Sequence, residues 1–177
     1  MSDLSESPAM NQETPLPRPQ TGPTDPPMPP IGSVLLVDDN AQNLELLQAY
    51  LEDLECPIRC ATDGQQALDL IEQDPPDIIL LDIMMPRMSG YQICKKIREN
   101  PLTRGIPVVM VTALNEVSDV ERAVECGADD FLTKPVNRLE LLTRVRSLLR
   151  VRHLQRELDR TIAEMKRMAC EGPDRAD

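Results

Sequence analysis

The strongest constraint on this chain is a set of short apolar runs, each closed by a chemically useful residue. Val34 to Val37 lead into Asp38 and Asp39, Ile78 to Leu81 into Asp82, and Val108 to Val111 into Thr112. A weaker run spans Ile58 to Ala61, and another, around Phe131 and Leu132, leads through Thr133 to Lys134 and Pro135. Wholly apolar, β-branched runs of this length suit strands buried on both faces of a parallel sheet. Between them, apolar residues recur at helical spacing: Leu44, Leu47, Leu51 and Leu54; Ala67, Leu68 and Ile71; Ile93 and Ile97; Val117, Val120, Ala123 and Val124. Asn40, Asp63 and Ser89 stand where helix caps belong. Five strand–helix alternations, joined by right-handed crossovers, predict an α/β fold with a doubly wound five-stranded parallel sheet.

The ends of the chain read differently. Residues 1–32 hold nine of the 17 prolines among small polar residues, too few apolar groups to offset the entropy of ordering, so a disordered tail is expected there. Pro15 to Pro19 contains a PxxP-type pattern, for which a plain solvated tail is the simpler reading. The folded domain is expected over residues 33–150. Its last helical pattern starts near Asn137 with Leu141, Leu142, Val145, Leu148 and Leu149, then continues through Val151, Leu154, Leu158, Ile162, Met165 and Met168. Residues 151–170 are therefore expected as a helical extension with a heptad-like seam, too short to establish a coiled coil, followed by a disordered end at 171–177 after the Gly172-Pro173 stop signal.

Composition narrows the chemistry. Two Tyr, one Phe and no Trp leave no aromatic platform for single-stranded nucleic acid, and a net charge of −11 opposes binding to DNA or an anionic membrane. One His excludes two-His zinc sites. No apolar run reaches membrane-spanning length and no secretion signal opens the chain, so no membrane association and a cytoplasmic location are expected. Five cysteines without a CxxC pair read as free thiols in a reducing compartment.

Ligands of open parallel sheets bind at the carboxyl ends of the strands. Here that edge collects Asp38, Asp39, Asp82, Thr112 and Lys134. Three neighbouring carboxylates repel one another unless a cation joins them, and an all-oxygen set suits Mg²⁺. A cation, an ammonium and a hydroxyl together suit phosphoryl transfer, which needs positioning and charge more than covalent help. No GxxxxGK[ST] loop is present to hold a nucleotide, so Asp82 is the natural nucleophile, giving an aspartyl phosphate.

Val37-Asp38-Asp39-Asn40, Leu81-Asp82-Ile83-Met84-Met85-Pro86 with Gly90, Val111-Thr112-Ala113 and Lys134-Pro135 occur in this order and spacing. On these motifs, residues from Ser33 to about Arg150 resemble the flavodoxin-like (βα)5 receiver domain of bacterial two-component response regulators. The resemblance implies that Asp82 accepts phosphate from a sensor histidine kinase. It implies a Mg²⁺ site in which Asp39 is a direct ligand, Asp38 acts through water, Asp82 takes part and the Met84 carbonyl is a further ligand. It implies that Thr112 and Lys134 contact the phosphoryl group, that the bond before Pro135 is cis, and that Phe131 turns inward with Thr112 on activation. The family's two lifetime-tuning positions are occupied by Met84 and Leu114, which cannot orient water, so slow self-hydrolysis is expected.

The expected protein is thus a phosphoacceptor rather than an enzyme with turnover. Its output would be a downstream protein partner, or a homodimer through the C-terminal helices. The stretch from Gly105 to Arg150 particularly resembles receivers attached to diguanylate cyclases, so a receiver fragment of such a regulator is an alternative. A non-switching interaction module with the same fold is another. Residues 138–168 carry a net charge of +5, yet nucleic acid is the least favoured partner. His153 reads as a solvent-facing helical residue.

Overall fold

A computed structural model describes residues 32–113 and 117–170, with side chains undescribed at 117–120 and 169–170; the Pro-rich segment 1–31, Leu114 and the end 171–177 lie outside the described residues. Five strands, β1 (Val34–Val37), β2 (Ile58–Ala61), β3 (Ile78–Asp82), β4 (Val108–Thr112) and β5 (Asp130–Thr133), alternate with α1 (Ala41–Leu51), α2 (Gly64–Gln73), α3 (Gly90–Glu99), α4 (Val117–Glu125) and α5 (Arg138–Cys170). The sheet is fully parallel in the order β2-β1-β3-β4-β5. The order reverses direction between β1 and β3, and their register aligns Val37 with Leu81, so Asp38 and Asp82 emerge side by side.

Strand alternation divides the core in two. Val34, Leu36, Ile78, Leu80, Val109 and Val111 face α1 and α5, packing on Leu44, Leu47, Leu141 and Val145. Leu35, Val37, Ile79, Leu81, Val108 and Met110 face the other way, onto Ala67, Ile71, Ile93 and Ala123 of α2, α3 and α4. Burial on both faces is why these strands carry no polar alternation, and each such side chain contributes about 1.5–3 kcal/mol. The weaker run, β2, lies at one sheet edge and is only half-buried until Ala61. In α4 the apolar pattern overreaches: Ala123 is buried, but Val124 is 69% exposed. Leu54 falls on a 3₁₀ turn after α1 rather than within it.

The helix starts follow their caps. Asn40 Oδ1 accepts from the Gln42 amide, Asp63 Oδ1 from Gln65 and Gln66, and Gln92 Oε1 accepts from the Ser89 amide. Asn137 Oδ1 accepts from Glu140 at the start of α5. That helix runs unbroken for 33 residues, about 50 Å at 1.5 Å per residue. It remains attached past residue 150: Arg156 pairs with Asp77, a buried carboxylate at the foot of β3 that also accepts from the Ser33 amide at 2.8 Å. Beyond that point its apolar residues are exposed.

Candidate functional site

The reversal of strand order opens a cleft at the carboxyl edge, and the strand ends fill it with charge. Asp38 and Asp82 are buried, while Asp39 is exposed. One carboxylate oxygen from each of Asp38, Asp39 and Asp82 lies within 4.8 Å of the others. Lys134, the first residue after β5 and joined to Pro135 by a cis bond, donates from Nζ to Asp38 Oδ2 and to Asp82 Oδ1, both at 2.8 Å. Thr112, buried at the end of β4, completes the group of five brought together from β1, β3, β4 and the end of β5.

Burial pushes the Asp82 carboxyl above its ordinary range, and the Asp38 and Asp39 charges add to this while Lys134 opposes it. Burial alone would lower Lys134, but its hydrogen bonds to Asp38 and Asp82 prevail and hold the ammonium above its usual value. With Lys134 counted, three carboxylates leave the cluster two charges negative, which matches a divalent cation. An oxygen-only donor set of this kind fits Mg²⁺.

The backbone after Asp82 is tightly folded. Ile83 O accepts from the Met85 and Gly90 amides, and Arg87 takes a left-handed φ of 67°. Gly90, the first residue of α3, lies so close to β3 that a Cβ there would be 2.3 Å from the Asp82 carbonyl oxygen. A glycine is required at this point to bring the helix against the strand end. Met84, two residues past the end of β3, is 62% exposed.

Asn43 was not legible as a site residue. Its Nδ2 donates to both oxygens of Asp38, at 3.1 and 3.0 Å, and the Asn40 amide donates to Oδ1 at 2.9 Å. Its position three residues past the Asn40 cap, on the first turn above β1, was the available signal. Phe131 is 37% exposed on edge strand β5, opposite Met110. Leu132 belongs to the α1–α5 core and Met110 to the other, so Phe131 and Thr112 lie on the α4 face of the sheet. His153 is exposed on α5.

A crevice at the switch of a 2-1-3-4-5 sheet, with three acids, Thr112 and Lys134 on its rim, narrows the comparison, and residues 34–146 match the response regulator receiver domain family. The chain belongs to that family. The receiver is 45% identical over 135 residues to the response regulator PleD of Caulobacter vibrioides, covering 76% of this chain and 30% of PleD. It is 37% identical to the alkaline phosphatase synthesis transcriptional regulatory protein PhoP of Bacillus subtilis, covering 78% of this chain and 55% of that protein. This chain therefore spans only part of the length of these curated relatives. Among solved structures, a receiver domain of a LuxO repressor-like protein from Vibrio parahaemolyticus superposes with a TM-score of 0.68 at 31% identity, covering 72% of this chain and 96% of that one. A response regulator from Chloroflexus aurantiacus gives 0.64 at 36%, covering 67% and 97%. Receivers of this family generally bind Mg²⁺ at an acidic pocket and work with histidine kinases and downstream effectors.

Proposed function

We propose that this receiver accepts a phosphoryl group on Asp82 from a sensor histidine kinase, in a Mg²⁺-dependent reaction, and relays the change through Thr112 and Phe131. The observation that carries this reading is Asp82 itself, a buried carboxylate held by Lys134 Nζ at 2.8 Å beside two further acids. A carboxylate oxygen of Asp82 attacks phosphorus as the bond to the kinase imidazole breaks, leaving an acyl phosphate. Lys134 sets a fixed positive charge against the transferred oxygens, and the Thr112 hydroxyl donates to one of them. Mg²⁺ held by Asp39, Asp82 and the Met84 carbonyl, with Asp38 acting through water, would supply the remaining positive charge. The distinction between the two acids is supported by their surroundings: both Asp38 oxygens already accept from protein donors, whereas Asp39 is exposed. Asp82→Asn is expected to abolish labelling by acetyl phosphate; retained label would move the acceptor elsewhere and favour a non-switching module.

A groove of about 190 Å³ beside Lys134, lined by Leu46, Tyr50, Pro135 and Val136, offers a kinase an apolar foothold next to the acceptor. For the output we favour self-association through α5, because Val151, Leu154, Leu158, Ile162, Met165 and Met168 are all exposed along it. Light scattering with Mg²⁺, before and after beryllofluoride, tests this: a monomer in both states refutes it and directs the search to another partner. The aspartyl phosphate is expected to be long-lived, since Met84 cannot orient water and Leu114, outside the described residues, is apolar as well; a half-life of seconds without kinase would refute this. A cytoplasmic location is part of the same reading, supported by the free thiols of Cys56, Cys60, Cys94 and Cys126. Among the described residues, no helix is long and apolar enough to cross a membrane.

A further inference from the structure

Two of the free thiols meet between α3 and the end of α4, away from the carboxylate cluster. Cys94, fully buried on α3, donates from Sγ to the Cys126 carbonyl oxygen at 3.3 Å. Cys126, half-buried just past α4, turns its own Sγ to the Ala123 carbonyl at 3.1 Å. The turn that carries it is firmly set. Gly127 takes a left-handed φ of 84°, its amide and that of Ala128 return to Val124 and Ala123, and Arg98 of α3 donates from Nε to the Gly127 carbonyl at 2.7 Å. α3 thus grips the turn and holds one cysteine over the other.

Cys126 is also on the wall of a groove of about 570 Å³, whose other lining includes Tyr91, Gln92, Lys95, Arg122 and Glu125. Lys95 and Arg122 give that wall two cations against one acid, and Arg122 lies over the Tyr91 ring at 5.5 Å. A small anionic reagent in this groove can therefore meet Cys126, whereas Cys94 is fully buried.

We propose that Cys126 and Cys94 form a thiol–disulfide exchange site for small disulfides bearing carboxylates, closing to a Cys94–Cys126 disulfide that ties α3 to the end of α4. The Cys126 thiolate attacks one sulfur of the reagent, forming a mixed disulfide and releasing the first reagent thiolate. Cys94 then attacks the Cys126 sulfur, its proton passing to the departing second reagent thiolate as the mixed disulfide breaks. Two protein thiols are oxidised and one reagent disulfide is reduced to two thiols. Burial, followed by the charge and hydrogen bond of Cys126, pushes the Cys94 thiol up to about 12. A disulfide formed in this way in a reducing compartment would be transient and responsive to redox poise.

The test is peptide mapping of the full chain after exposure to oxidised glutathione, with acid quench and alkylation. The expected product is a peptide containing Cys94 linked to one containing Cys126, reversed by dithiothreitol. Cys94→Ser is expected to trap glutathione on Cys126, and Cys126→Ser to lose both adduct and link. Should Cys94→Ser fail to fold, Cys94→Ala removes the same thiol without placing a hydroxyl in the core. A stable adduct on Cys126 with Cys94 still free in the unsubstituted chain overturns the pairing. Adducts confined to Cys56, Cys60 or Cys170 overturn the site. Oxidised glutathione is expected to react at least about threefold faster than cystamine, a cationic disulfide, and equal rates would overturn the preference for carboxylates.

Discussion

Gly90→Ala isolates the closest backbone approach in the phosphoacceptor region. The added Cβ would stand 2.3 Å from the Asp82 carbonyl oxygen, and 3.0 Å from both its carbon and the Ile83 Cα. Ordinary contact between carbon and oxygen needs about 1 Å more, and these neighbours are backbone atoms at a strand end that cannot rotate aside. Overpacking of this kind costs about 1–3 kcal/mol, and strain on the Gly90 amide bond to Ile83 O adds about 1 kcal/mol. Alanine regains at most about 1 kcal/mol of helix propensity. A net loss of about 1–3 kcal/mol is expected, lowering Tm by roughly 3–12 °C. Gly64→Ala is the matched control. Gly64 also opens a helix, so the propensity gain is the same, but its Cβ would meet only side-chain atoms of Ile93 and Met88, at 2.9 and 3.1 Å. Ile93 Cδ1 and Met88 Sδ are side-chain ends that can shift and Met88 Cβ is the only fixed neighbour, so the cost should stay near about 1 kcal/mol, below that of Gly90→Ala. Thermal melts of the two variants measure the difference. Labelling by acetyl phosphate should fall at least about tenfold in Gly90→Ala alone, because Asp82 moves with its carbonyl. Equal melting temperatures, or unchanged labelling in a destabilised Gly90→Ala chain, would refute the reasoning.

Four further outcomes are expected. Lys134→Met leaves the cluster three charges negative, so calorimetry should show Mg²⁺ bound at least as tightly as in the original chain while labelling falls about a hundredfold or more. Asn43→Ala removes the donor on both Asp38 oxygens and should weaken Mg²⁺ binding about tenfold in the same titration, with little change in Tm. Asp77→Ala should lower stability to urea by about 3 kcal/mol, since Asp77 is buried and holds both Ser33 and Arg156, whereas Arg156→Ala, at an exposed partner, should cost less than the acid does. At pH 8 and under reducing conditions, Cys94 should be the slowest of the described thiols to be alkylated by iodoacetamide, which cannot exchange through Cys126: it is fully buried, burial pushes its thiol up to about 12, and raising the pH should accelerate it.

The order of strands and helices was readable because β1, β3 and β4 are buried on both faces and so need apolar runs ended by a polar residue, while the edge strands β2 and β5 left weaker signals. The same feature made Asp38, Asp39, Asp82, Thr112 and Lys134 visible, since each lies within two residues of the end of a run. What failed to read was whatever depends on neighbours far along the chain. Val124 fits the apolar period of α4, yet only packing against the sheet decides that Ala123 is buried and Val124 is not. The hold of Asn43 on Asp38 depends on how α1 lies over the end of β1. The helical period passes through residue 150 unchanged, but the pairing of Arg156 with Asp77, buried at the foot of β3, depends on where α5 lies against the sheet. The contact between Cys94 and Cys126 joins residues 32 apart in sequence and was invisible there, because α3 and the turn after α4 meet only by packing side by side on the same face of the sheet. Local periodicity and strand-end chemistry are properties of a few consecutive residues, and sequence alone determined them here. Contacts between elements depend on the angles and distances at which helices settle on the sheet, and only the tertiary structure decided those.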